Sequence, residues 1–123
     1  MEKDKVKIIS QYEKSGEMMY LATLNGDYKT NNREGKKLIR IFKLFESDLP
    51  FAYECIQELL KSENVVVRKK AAAYCLALNW NIAEAEEILT AIAADPDTGI
   101  FGFNAEMILK VWRTDGTLKM YQK

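Results

Sequence analysis

With 123 residues, 18 Lys plus Arg against 18 Asp plus Glu, and no His, the chain is long enough to bury one core without disulfide or metal staples. Its zero net charge favours neither nucleic acid nor an anionic membrane. The lack of His removes the commonest general base and the commonest metal ligand, leaving carboxylates, Tyr, Lys, Cys55 and Cys75 for any chemistry.

The opening MEKDKVKIIS has no long apolar run, so neither a signal peptide nor a membrane span is expected. Residues 3–24 read as helix, with Val6, Ile9, Tyr12, Met19, Tyr20, Ala22 and Leu24 as apolar contacts and a bend or break expected at Ser15 and Gly16. Asn25-Gly26-Asp27 reads as a helix stop followed by the next cap. Residues 27–47 are two-faced. At about 100° per residue, Leu38, Ile41, Phe42 and Phe45 share one side, and Lys29, Arg33, Lys36, Arg40 and Lys43 share the other, with Lys37 beside them. That cationic stripe is either an electrostatic footprint for phosphate or an acidic partner, or a solvated helix back. Gly35 costs this helix about 1 kcal/mol relative to Ala, which implies close packing or a helix starting only after Asn31 or Asn32.

Leu49-Pro50 opens a helix with an inner face of Ala52, Cys55, Ile56, Leu59 and Leu60 and an outer face of Glu54, Gln57, Glu58 and Lys61. A short turn leads to the helix Asn64–Leu78, which is poor in charge beyond its first turns. Its Asn is a cap; Val67, Ala71, Tyr74, Cys75 and Leu78 form a stripe, and no charge follows Lys70 until Glu84, so it must be covered on several sides. Both Cys thus fall on inward stripes, where a reduced thiol acts as a small core residue and two thiols without His make no zinc site. Reduced thiols place the chain in the cytoplasm. Asn79-Trp80-Asn81 is a turn, Asn81 and Glu84 are spaced as a capping box, and Ala85, Ile88, Leu89 and Ile92 line the next helix. Asp95-Pro96-Asp97-Thr98-Gly99 breaks it. The last helix runs from about Gly99 to Arg113, with Phe101, Ala105, Ile108, Leu109 and Trp112 inward, and Asp115-Gly116 ends it. In the tail 117–123, Leu118, Met120 and Tyr121 either fold back on the body or stay loose. The hairpins 50–78 and 82–113 start roughly 32 residues apart and share a plan, which predicts a single all-α domain over 1–123, an alpha-solenoid of about six helices stacked as antiparallel pairs.

NVVVRKKAAAYCL resembles the second helix of a HEAT repeat, with Asn64, Val67, Arg68, Ala71 and Ala72 at the characteristic positions. The resemblance implies a HEAT/armadillo-like fold, with Arg68 pairing acidic or carbonyl groups between repeats. A narrower likeness covers residues 20–121. NGDYKTNN, ENVVVRKKAAAYCLAL, AEAEEILTAIA, and GFNAEMILKVW with its Gly-Thr-Leu ending are similar to small bacterial HEAT-like proteins grouped as domain of unknown function number two thousand and nineteen. Such proteins are often encoded beside polymorphic or contact-dependent toxins and are taken as their immunity proteins. The resemblance therefore implies an intracellular inhibitor of a cognate toxin domain, and it carries over no binding residue.

The residues admit three functional classes. A non-catalytic binding protein needs only a rigid body and a complementary face. Its candidate partner-binding residues are Glu54, Glu58, Trp80, Glu84 and Glu87, with Glu86 nearby; from Leu49 onward ten acids face eight bases, which would suit a nuclease toxin with a basic cleft. Each acid also reads as solvated surface, and Trp80 as a packed turn residue. A nucleic-acid binder would use the cationic stripe, but no aromatic residues interleave it. A structural subunit of a larger assembly is the third class. No enzyme is expected: the chain has no Gly-rich phosphate loop, no nucleophile elbow and no metal-spaced cluster, so no catalytic, cofactor or metal residue is assigned.

Overall fold

A computed structural model describes residues 4–121. Among them are six α-helices, one short 3-10 turn and no strand. Helix α1 (Lys5–Asn25) is capped by Asp4, whose side chain accepts from the Lys7 N–H, and it stops at Gly26, held at φ 71°. Helix α2 (Tyr28–Ser47) is capped by Asp27, and α3 (Leu49–Leu59) by Asp48 with Pro50 in its first turn. In α4 (Val65–Ala77), Asn64 Oδ1 accepts from the N–H groups of both Val66 (2.8 Å) and Val67 (3.2 Å). Helices α5 (Ile82–Ala94) and α6 (Ile100–Asp115) are separated by the 3-10 turn Pro96–Thr98, and Gly116 ends α6 at φ 71°. Each stop is a residue whose side chain or backbone satisfies otherwise unpaired helix-end groups, which is why these boundaries follow from local chemistry.

Two sequence expectations fail here, the first for a tertiary reason. The bend at Ser15–Gly16 does not form: α1 runs unbroken through both residues, which are buried. Gly16 lies where α1 crosses α4, and a methyl there would sit 2.4 Å from Val67 Cγ2 and 3.2 Å from Asn64 Oδ1. Its cost in helix propensity is offset by a closer crossing than any side chain permits. Gly35 has neither of its expected explanations. The helix begins well before it, at Tyr28, and no atom lies within 4 Å of where its Cβ would be.

Helix α4 is the hub, packing against α1, α3, α5 and α6, while α2 packs on α1 and α3. Val66, Val67 and every residue from Ala71 to Leu76 are buried, so the helix is covered on several sides as its composition requires. Both Cys55 and Cys75 are free and buried. The core centres on four rings. Phe42 lies 4.7 Å from Tyr74, Tyr74 meets Tyr12 edge-on at 5.9 Å, and Phe45 stacks with Tyr12 at 6.3 Å. Such ring pairs add about 0.5–1.5 kcal/mol each beyond the area they bury. The Tyr12 hydroxyl donates to Tyr74 Oη at 2.8 Å, so the two buried phenols satisfy each other, and burial raises the pKa of both.

Two polar ties hold the first helices in place. Glu34 is buried on the inner side of α2, where Oε1 accepts from Ser15 Oγ (2.8 Å) and Oε2 from Arg33 (3.0 Å) and Lys37 (3.1 Å). Burial raises its pKa; the hydrogen bonds from Arg33, Ser15 and Lys37 outweigh that and hold the carboxyl below its usual range. At the α3–α4 turn, Ser62 donates to Glu13 of α1 (2.8 Å), and Arg68 Nη1 donates to the Ser62 carbonyl (2.9 Å). Arg68 thus pins its own hairpin turn by bonding a carbonyl, and among the described residues it forms no ion pair with an acid. The tail folds back: Leu118, Met120 and Tyr121 pack on the core, with the Tyr121 ring 6.2 Å from Phe42 and its hydroxyl bonded to Glu46. Residues 122 and 123 of the predicted tail, like Lys3 of the predicted first helix, lie outside the described range.

Candidate partner-binding surface

After α4 the chain reverses through Asn79 and Asn81, both left-handed, at φ 56° and 55°. Asn occupies that region at lower cost than most side chains, which accounts for its use on both sides of Trp80. Between them the Trp80 N–H donates to the Cys75 carbonyl at 2.9 Å, fixing the residue to the end of α4. The indole then lies flat on Tyr53 of α3, with centroids 4.2 Å apart and planes 16° apart. The half-buried ring forms one wall of an open pocket of about 450 Å³ lined by Gln57, Lys61, Trp80, Asn81 and Glu84. The capping box expected here is not made. With Asn81 left-handed, its side chain turns away from the helix N–H groups and Nδ2 donates to Glu84 Oε2 at 3.1 Å.

Trp80 and Glu84 are therefore brought together, while the other predicted acids are divided. Glu58 pairs with Lys5 of α1 at 3.8 Å and lines a separate open pocket of about 530 Å³ with Lys5, Val6, Ile9 and Ser10. Glu86 pairs with Arg113 at 3.7 Å. Both pairs are solvent-screened and contribute little to stability. Glu54 and Glu87 are exposed and, with Glu84, form no ion pair among the described residues. Lys61 also stands in the Trp80 pocket, so its rim is mixed, with Lys61 and Glu84 beside the indole, while Glu54 and Glu87 are exposed outside the pocket lining. Burial, then the nearby Glu84 carboxylate, push the Cys75 thiol up to about 12, and burial pushes Cys55 up to about 11. Neither thiol is a thiolate at neutral pH, so neither is an activated nucleophile.

All five stripe cations, Lys29, Arg33, Lys36, Arg40 and Lys43, are exposed on α2. Two of the six nearby charges are committed to the fold, because Arg33 and Lys37 both hold Glu34, and the Lys43 ammonium sits 4.9 Å over the Tyr121 ring. A concavity that the sequence did not single out lies between α1, α4 and α6. An open pocket of about 380 Å³ is lined by Tyr20, Glu63, Asn64, Val65, Asp97, Thr98 and Phe101, with Tyr20 stacked on Phe101 at 4.9 Å. The half-buried Lys69 ammonium lies 5.9 Å from the Phe101 centroid; burial and then Lys70 bring its pKa down to about 8, and burial lowers that of Lys70. Neither lysine forms an ion pair among the described residues.

Tyr53 also escaped the sequence reading, because its partner Trp80 is remote in sequence. The only local signal is the four-residue spacing of Tyr53 and Gln57, which places both on one flank of α3, with Lys61 in the turn that follows. Among the described residues no helix is long and apolar enough to cross a membrane, and no group of three or more His, Cys, Asp or Glu is placed to hold a metal ion. No family model, no curated protein and no solved structure matches the chain.

Proposed function

We propose that the chain is a non-catalytic protein-binding domain, its three successive hairpins α1–α2, α3–α4 and α5–α6 stacked as a short HEAT/armadillo-like array. On this reading it works in the cytoplasm as an immunity protein that binds and neutralises a cognate toxin domain. The observation that carries the binding role is the Trp80 indole, backed by Tyr53 and held at a pocket mouth beside Glu84, which forms no ion pair among the described residues. A flat aromatic anchor supported from behind gives contact area at small entropic cost. Exposed carboxylates at Glu54, Glu84 and Glu87 would speed encounter with a basic surface, such as the substrate cleft of a nuclease. The toxin itself is inferred only from the likeness of residues 20–121 to immunity-type HEAT-like proteins.

The test is capture by the tagged chain from its native cell, with mass spectrometry of what is retained and co-expression of the captured domain. One stoichiometric protein whose lethality the chain relieves supports the reading. Trp80→Ala should then weaken capture at least tenfold, and Glu84→Lys with Glu87→Lys should slow association more than it speeds dissociation. Recovery of nucleic acid alone, lost in moderate salt and dependent on Arg40 and Lys36, would replace this reading with binding by the α2 stripe.

A further inference from the structure

Helix α6 is apolar on two sides. Phe101, Ala105 and Leu109 are buried against the body. On the outward side Ile100, Phe103, Met107 and Val111 remain 50, 61, 41 and 39% exposed. At 100° per residue these four fall within one narrow stripe, and Phe103, Met107 and Val111 form a continuous row at four-residue spacing. Such a row is the ridge by which helices pack into one another's grooves. The stripe leaves roughly 300–400 Å² of apolar surface open, the size of a functional patch on a monomer.

We propose that this stripe is a self-association surface, on which α6 packs antiparallel against α6 of a second copy about a two-fold axis beside Met107. The argument for that occupant is charge. Glu106 and Lys110 lie on the same flank of the stripe, are exposed, and form no ion pair among the described residues. A two-fold axis perpendicular to antiparallel helices sets each flank against the same flank of its mate. With the axis at the height of residues 107–108, Glu106 of each copy therefore meets Lys110 of the other, twice per dimer. The same register sets Phe103 against Val111 and Met107 against Met107. A parallel pairing puts the two like flanks on opposite sides of the interface, where Glu106 and Lys110 do not meet, so the complementary pairs form only in the antiparallel orientation.

Area sets the strength. The stripe supplies less than half of the roughly 800 Å² per partner of a standard stable interface, with the rest coming from its polar rim. Association is therefore weak and concentration-dependent, in the micromolar range.

Sedimentation velocity of the full chain from about 2 to about 200 μM in moderate salt reads this directly. The expected result is a monomer at the low end and a dimer at the high end. Met107→Glu should abolish the dimer by placing like charges at the axis. Glu106→Lys and Lys110→Glu should each raise Kd about tenfold, and the double swap should return it to within about threefold of the parent. All three positions are exposed, so far-ultraviolet circular dichroism should be unchanged. A monomer at every concentration, a dimer indifferent to Met107→Glu, or a double swap no better than its singles would overturn the proposal. Binding to neutral lipid vesicles by a chain that stays monomeric would do the same.

Discussion

Replacing Gly16 and, separately, Gly35 with Ala makes one chemical change inside two helices, with opposite expected signs. At Gly35 nothing lies within 4 Å of the new methyl, so the helix gains its intrinsic preference for Ala, about 0.5–1 kcal/mol. At Gly16 the same gain is opposed by a methyl placed 2.4 Å from Val67 Cγ2, where carbon atoms normally rest about 3.5–4 Å apart. Val67 is fully buried and, being β-branched in a helix, has essentially one rotamer, so it does not swing aside. Separating the helices costs about 1–3 kcal/mol of overpacking, and the contact at Asn64 Oδ1 endangers a cap worth about 1 kcal/mol more. The net is a loss of about 1–3 kcal/mol. The two variants should thus differ by about 2–4 kcal/mol, or about 10 °C in Tm for a chain of this size. Urea titration followed by helix circular dichroism should show the midpoints moving apart with slopes unchanged. Val67→Ala in the Gly16→Ala background should recover part of the loss, a coupling of about 1 kcal/mol. Equal stabilisation by both glycine substitutions would refute the close α1–α4 crossing.

Asn64→Ala, which leaves the N–H groups of Val66 and Val67 without their acceptor, should cost about 1–2 kcal/mol in the same titration, with Asn64→Asp largely retaining it. Glu34→Gln keeps the shape but removes the charge shared by Ser15, Arg33 and Lys37, and should cost about 1–3 kcal/mol at neutral pH. Because the Glu34 carboxyl is held below 4.5, its stabilisation is full above that pH and fades as pH falls through the folded value; the Gln variant should lose that part of the acid limb in a pH series of melts. Lys69 has a linkage of the same sign in a more alkaline window. Its folded pKa near 8 lies under the ordinary 10.5, so the unfolded chain holds more protons between them and stability should rise by about 1 kcal/mol from pH 8 to about 9.5. Lys69→Met should be more stable at pH 7 and should show a smaller rise, leaving the contribution of Lys70; above about 10 the buried Tyr12 and Tyr74 reverse the trend, since only the unfolded chain ionises them there.

What could be read from the sequence was set by local chemistry. The stops at Gly26 and Gly116, the caps at Asp27 and Asn64, and the inward stripes of α2 to α6 each depend on residues within one turn of one another. What escaped depends on a neighbour far along the chain. Gly16 reads as a helix breaker until Val67 is set against it, and Glu34 reads as one more surface charge among cations until Ser15 arrives from α1. In the candidate surface, Trp80 and Glu84 were nearby in sequence and so were identified together, whereas Tyr53 could be paired with Trp80 only by the packing of α3 against the end of α4. The acidic side divided because Lys5 and Arg113, remote in sequence, reach Glu58 and Glu86.

The folded-back tail changes how the helical body comes apart. A row of hairpins touching only their neighbours tends to fray from its ends, each unit opening at its own free energy. Here the segment after α6 returns to α2, where Tyr121 touches Phe42 and Glu46, and Tyr20 of α1 stacks on Phe101 of α6. The first and last hairpins are thereby cross-braced, and neither end can open without loosening the other. Unfolding should be all-or-none, and amides in α2 and α6 should exchange with deuterium through one shared opening.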